Sequence, residues 1–108
     1  NAARVGAAAL TRLQEMKARH PLIGDVRGRG LLLGVELVSD RETKTPAADA
    51  AEAVMYRAMD AGLSFKTTMG NVLTLTPPLV VSEAEMMRAL DIIEAAIGAE
   101  ERAASVVS

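Results

Sequence analysis

The run Leu31-Leu32-Leu33-Gly34-Val35-Glu36-Leu37-Val38 constrains this chain more than any other stretch. It is bounded by Gly28-Arg29-Gly30 on one side and Ser39-Asp40 on the other, so it has the length of a strand and has to keep at least one face out of water. Glu36 shares the parity of Leu32, Gly34 and Val38, which marks that face as the less buried one. A glycine in mid-strand, Gly34, predicts a bulge or the close approach of another element. The opposite face must be covered by the rest of the chain.

Amphipathic segments supply that cover. From Asn1 to about Lys17, the residues Val5, Ala9, Leu13 and Met16 recur at helical spacing, and the helix stops before Pro21, which forces its predecessor toward extended geometry. Thr45-Pro46 reads as a second helix start, with Thr45 as cap and proline in the first turn. That helix runs to about Ala61 with Ala51, Val54, Met55 and Ala58 as its stripe, and Gly62 ends it. Leu63–Thr67 and Val72–Thr76 alternate at period two around Met69-Gly70-Asn71 and predict a hairpin closed by Pro77-Pro78. Ser82-Glu83-Ala84-Glu85 is a capping box opening a last helix, whose Met86, Ala89, Leu90, Ile93 and Ile97 share one face as far as Gly98. Ala99 to Ser108 reads as a frayed tail. Helix, strand, helix, hairpin, helix is the order of an α+β fold, with helices packed on a mainly antiparallel sheet.

The 108 residues suffice for one domain with a single core. Asn1 opens directly inside a helical pattern with neither methionine nor cap, as expected of a piece of a longer polypeptide. The lack of cysteine excludes disulfides, cysteine zinc sites and a cysteine nucleophile, and a single histidine, His20, argues against a zinc site of the His-rich kind. Twelve Lys and Arg against 14 Asp and Glu, net charge -2, with only Tyr56 and Phe65 as aromatics, give no footprint for nucleic acid or anionic lipid. No apolar run approaches the roughly 18 residues of a membrane span, and nothing reads as a secretory signal. A cytoplasmic protein is expected.

The chemistry-bearing residues form no self-contained catalytic set. Gly28-Arg29-Gly30-Leu31-Leu32-Leu33-Gly34 has the wrong glycine spacing for a dinucleotide fingerprint and leads into a strand rather than a helix. Arg27 and Arg29 could meet a phosphate or carboxylate, or simply contact a neighbouring domain. His20 lacks a partner serine or second histidine and reads as a helix-end residue beside the last carbonyls. The acidic residues, Glu100 and Glu101 among them, suit caps and solvated faces, and the methionines suit the core. Of Lys17, Lys44 and Lys66, only Lys66 sits in a strand from which an amine could face a cleft.

Asn1-Ala2-Ala3-Arg4-Val5-Gly6, then His20 through Leu37, then Gly70-Asn71-Val72-Leu73-Thr74-Leu75-Thr76-Pro77-Pro78-Leu79-Val80-Val81 together resemble the C-terminal part of class III aminotransferases, the pyridoxal-phosphate enzymes that include 4-aminobutyrate, ornithine and acetylornithine aminotransferases. The resemblance covers residues 1 to about 98. It implies the small C-terminal domain of a fold-type I enzyme over residues 1–98, with 99–108 as a C-terminal tail. It implies amino-group transfer between an amine or omega-amino acid and a 2-oxo acid in a full-length homodimer, with this domain closing the active site and shaping substrate choice. The cofactor, pyridoxal 5'-phosphate, would be bound by a large domain. None of Lys17, Lys44 or Lys66 matches the cofactor lysine, so no catalytic or cofactor-binding residue is assigned and the piece alone is expected to be inactive. One departure stands out. Many members carry an arginine for a substrate carboxylate within the motif Asn71–Pro78, and this chain has Thr74 there, a hydroxyl without charge or fork. Thr74 is the expected substrate-binding residue. A racemase or decarboxylase using the same cofactor remains open. So does a free-standing ferredoxin-like binding module, since strand, helix, strand, strand, helix from residue 23 is most of that unit.

Overall fold

Burying Leu33, Val35 and Leu37 organises the molecule. The computed structural model describes residues 2–30, 32–76 and 82–107. The elements run α1 (Ala2–Arg19), β1 (Ile23–Arg29), β2 (Leu32–Asp40), β3 (Thr45–Pro46), α2 (Ala48–Asp60), β4 (Lys66–Thr68), β5 (Val72–Leu75) and α3 (Glu83–Val107). The sheet has the order β1-β2-β5-β4, with β3 added beside β2, and all its pairings are antiparallel. This is the expected α+β layer, with the three helices on one side. Val26, Leu33, Val35, Leu37, Leu73 and Leu75 point inward against Val5, Ala9, Leu13 and Met16 of α1, Ala51 and Val54 of α2, and Met86, Leu90, Ile93 and Ile97 of α3. Each fully buried leucine or isoleucine contributes about 1.5–3 kcal/mol.

Three expectations need correction. Ile23–Arg29 is a strand, paired with β2 from Ile23↔Leu37 to Arg29↔Leu32, although Gly24, Asp25 and Gly28 give it a poor strand composition. As an edge strand it borrows its conformation from β2. Its presence also breaks the ferredoxin-like order, because the chain now reads strand, strand, short strand, helix from residue 23. Thr45-Pro46 does not start α2. It pairs with β2 through Val38↔Pro46 and Asp40↔Thr45, while the Thr45 hydroxyl bonds that of Thr43 at 2.7 Å, and Ala47 caps the helix without a side-chain hydrogen bond. An edge position suits proline, whose missing N–H is not called upon there. Val38 is buried despite sharing Glu36's parity, its side chain lying over the bare Cα of Gly24, where a Cβ would stand 2.7 Å from Val38 Cγ1.

Nor does α3 fray after Gly98. It continues to Val107 because Glu100 and Glu101 are both engaged, Glu100 accepting from Arg57 Nε at 2.9 Å and Glu101 from the Leu22 backbone N–H at 3.0 Å. Gly62 follows α2 with φ +94, and the hairpin turns at Met69-Gly70 between β4 and β5, β4 being shorter than the alternation suggested. The Pro77-Pro78 stop and Leu31 lie outside the described residues.

Where α1 crosses the end of the β1–β2 pair, the packing is backbone to backbone. A Cβ on Gly6 would lie 2.0 Å from the carbonyl oxygen of Gly30, so only glycine fits. The far end of α1 is held by charge. Arg41 donates to the carbonyls of Lys17, of His20 (2.8 Å) and of Ile23 (3.1 Å), taking the place beside the helix end expected for His20. The His20 ring instead lies between two carboxylates, Nδ1 at 2.7 Å from Glu101 Oε1 and Nε2 at 2.8 Å from Glu94 Oε2. Glu94 also accepts from Arg12 at 2.8 Å and from Arg19 at 2.8 and 3.0 Å, so that Arg12, Arg19 and His20 all meet α3 at one carboxylate.

Burial works against a charged imidazole, but hydrogen bonds to Glu101 and Glu94 and their negative charge outweigh it, so the His20 pKa is raised. Burial likewise opposes a charged Glu94, and hydrogen bonds from Arg12, His20 and Arg19 overcome it, pushing its pKa down to about 2. The capping box forms as read: Ser82 Oγ accepts from the Glu85 N–H at 3.1 Å and the Ser82 N–H donates to Glu85 Oε1 at 3.0 Å.

Ser82→Ala is expected to cost about 1 kcal/mol in a denaturant melt, the usual worth of a lost cap. The pH profile of unfolding follows from the charged cluster. The contribution of Glu94, on the order of 2 kcal/mol after screening of a partly exposed group, is present above its ordinary pKa of 4.5 and is lost as pH falls toward about 2. That of His20 is complete below its ordinary 6.5 and is lost as pH rises through its raised value. Thermal midpoints should therefore peak between roughly pH 4.5 and 6.5. In His20→Gln the decline on the alkaline side of that window should be absent.

Candidate functional site: the uncovered face of the sheet

Strand pairing sorts the outward side chains into rows. One row reads Asp25, Glu36, Val72, Thr68 across β1, β2, β5 and β4, and the next reads Arg27, Gly34, Thr74, Lys66. Arg29 and Leu32 begin a third. With all three helices on the other side, this face is the one place where polar side chains from four strands converge on the described residues. An open groove of about 350 Å³ runs over it, lined by Arg27, Arg29, Gly34, Thr68, Val72 and Thr74.

Thr74 is half-buried within that groove, and its hydroxyl lies 3.0 Å from that of Thr68. The charges are unevenly tied. Arg27 stands 3.5 Å from Asp25 and 3.4 Å from Glu36, both loose contacts, and is largely exposed. Arg29 makes no ion pair or hydrogen bond among the described residues. Gly34 forms the floor. A Cβ there would meet only Val72 Cγ1, at 3.7 Å, an ordinary contact, so neither the bulge nor the close approach expected at this glycine is found.

The other candidates are scattered. Lys66 is exposed beside Thr74 in the same row, Lys44 is exposed in the turn before β3 with φ +57, and Lys17 lies 3.9 Å from Asp25 near the end of α1. None is buried, so none has the desolvated setting that makes a lysine a nucleophile. His20 is locked between Glu94 and Glu101 at the helix junction, well away from the sheet face, and cannot serve the groove as a base. A second groove, of about 380 Å³ between α2 and α3, is walled half by alanines, and its Arg57 is tied to Glu100.

Among the described residues the groove thus offers recognition rather than bond-making: guanidinium groups, two hydroxyls and the apolar surface of Leu32 and Val72, with no buried nucleophile or base. The Thr68–Thr74 pair escaped the sequence reading, and so did the placement of Arg27 and Arg29, already named together there, on one face of a strand. The available signal was the period-two spacing of Asp25, Arg27 and Arg29, which places all three on one face once Ile23–Arg29 is a strand.

The description Aminotransferase class-III matches residues 1–97. The chain is 55% identical over 85 residues to the (R)-1-hydroxy-2-aminoethylphosphonate ammonia-lyase of Vibrio splendidus, which covers 79% of this chain and 18% of that protein. It is 47% identical over 96 residues to the leucine/methionine racemase of Thermococcus litoralis, covering 89% of this chain and 22% of that one. Among solved structures, a Bacillus anthracis aminotransferase superposes with a TM-score of 0.83 at 40% identity, over 90% of this chain and 23% of its own. The chain therefore spans about a fifth of the length of the relatives it matches. With the family matched from the first residue through Ile97 and the fold shared at 40% identity, the chain belongs to the class III aminotransferases.

Proposed function

We propose that residues 1–98 form the C-terminal small domain of a class III pyridoxal-phosphate enzyme, with 99–108 continuing its last helix, and that the uncovered sheet face is a wall of the substrate cleft. In this reading the complete enzyme is a cytoplasmic homodimer. It moves an amino group between an amine or omega-amino acid and a 2-oxo acid. The observation that carries the reading is the family match over residues 1–97 combined with a polar face that holds recognition groups and no reacting ones. When bound, pyridoxal 5'-phosphate supplies an electron sink for the carbon that carries the amine. The lysines of this chain do not fit as its anchor, since all three are in contact with water; the anchor is assigned to the large domain, outside this chain. The work left to these residues is to orient the substrate and exclude water on one side.

Thr74 is the substrate-facing residue in this proposal. Its half-buried hydroxyl, turned into the groove toward Thr68, supports that role, and its lack of charge accounts for the missing arginine grip. The racemase and ammonia-lyase relatives support a second reading, in which the full-length enzyme inverts or eliminates instead of transferring nitrogen. Formation of alanine from pyruvate in the presence of an amine donor supports transfer. Turnover that needs no 2-oxo acid supports the second reading.

Thr74→Arg in the full-length enzyme should raise kcat/KM for a carboxylated amine relative to an uncharged amine of equal length. A charged hydrogen-bonded pair is worth about 1.5–3 kcal/mol, so the ratio should move by roughly ten- to a hundredfold. An unchanged ratio would show Thr74 to be an ordinary sheet-surface threonine.

A further inference from the structure

Asn71 is the one polar or charged residue that is buried among the described residues, with 6% of its surface exposed. Taking an amide out of water is unfavourable unless hydrogen bonds replace the lost ones. Here the bond completes a ladder. Two residues on from the Val35↔Leu73 pair, Leu37 stands opposite Asn71, at a rung where antiparallel residues exchange two N–H···O bonds. The Leu37 N–H donates to the Asn71 carbonyl at 2.8 Å. The return bond to the Leu37 carbonyl comes from the side chain, Asn71 Nδ2 donating at 3.0 Å. The same carbonyl accepts from the N–H of Ala47, at the start of α2, at 3.1 Å.

The side chain stands in for the backbone because the chain is turning there. Met69 and Gly70 have φ +53 and φ +84, and a methionine is poorly suited to that left-handed region. Met69 is also 91% exposed, so packing does not hold it in place. A strained turn persists where its surroundings over-determine it, and the Asn71 amide ties this one to the central strand. What the turn carries is Thr68. Burial of Leu73 and Leu75 decides which face Thr74 takes, but it does not place Thr68, which is exposed in a three-residue edge strand. The Thr68 hydroxyl, 3.0 Å from that of Thr74, in turn sets the direction in which the Thr74 hydroxyl can donate or accept.

We infer that Asn71 is a positioning residue of the substrate cleft: its amide pins the β4–β5 turn to β2, sets Thr68 against Thr74, and so orients the hydroxyl that meets the substrate. The inference rests on the cleft-wall reading above and deepens it. Asn71 is itself buried and acts only through Thr74.

Titration of the full-length holoenzyme with β-alanine, 4-aminobutyrate, L-alanine and n-propylamine, followed by the absorbance of the bound cofactor, gives a half-saturation concentration for each amine. Thr74→Val should raise that of the tightest amine roughly three- to tenfold, the effect of losing one hydrogen bond. Asn71→Leu keeps the shape, removes the donor and leaves the Leu37 carbonyl bonded to Ala47, and it should raise the same value about as much. Because Asn71 acts through Thr74, the double variant should bind no more weakly than the weaker single variant, to within about twofold. Ser82→Ala, which removes a helix cap elsewhere, should leave the whole Thr74→Val effect in place. Asn71→Ser, whose side chain is too short to reach Leu37, replaces the leucine variant if that one does not fold. If Thr74→Val weakens binding and the Asn71 variant does not, or if the two effects multiply, the role of Asn71 falls and the cleft wall stands. If Thr74→Val changes nothing, or none of the four amines saturates, the cleft wall falls and the role of Asn71 falls with it.

Discussion

The removal from water of one row of side chains on β2 governs the rest of this structure. Leu33, Val35 and Leu37 are buried on the side facing the helices, and β2 is the strand against which β1, β5 and β3 all pair. Because the sheet has helices on one side only, its two faces answer to different demands. The inner face is packed with aliphatic groups and tolerates little change of volume. The outer face is free to carry charge, hydroxyls and a bare glycine. A one-sided sheet of this kind is a natural plate to set against a larger body, and the relatives, of which this chain covers about a fifth, are such bodies.

Charge does a different job at the helical end. Glu94 gathers Arg12, Arg19 and His20, and Glu101 takes the other side of the imidazole and the Leu22 N–H. These contacts join elements more than seventy residues apart in sequence at the very point where α1 gives way to β1. Partly buried, multiply hydrogen-bonded carboxylates define an angle between two helices more sharply than aliphatic contacts, which can slide. The cluster's role is therefore geometric as well as energetic.

Much of this was legible in the residues. Helical periodicity located Val5, Leu13, Leu90 and Ile93 in the core, the Ser82–Glu85 box located a helix start, and three ordered motifs pointed to the family. What stayed hidden depended on partners far away in sequence. Ile23–Arg29 is a strand only because β2 offers it hydrogen bonds, and Thr45-Pro46 is drawn out of a helix by the same strand. Glu101 looks like any solvated glutamate until His20 is placed beside it. The grouping of Arg27, Arg29, Thr68 and Thr74 depends on strand register, which no local pattern specifies.

Gly6 and Gly30 meet without any side chain between them. Aliphatic contacts yield by rotamer changes, so a helix resting on leucines can shift a little without moving what lies beneath. Backbone against backbone has no such cushion. Helix α1 and the tip of the β1–β2 hairpin are thus set at the spacing of two bare backbones, with Arg29 next to the contact. Any side chain at position 6 would have to part the helix from the hairpin before it could be accommodated at all.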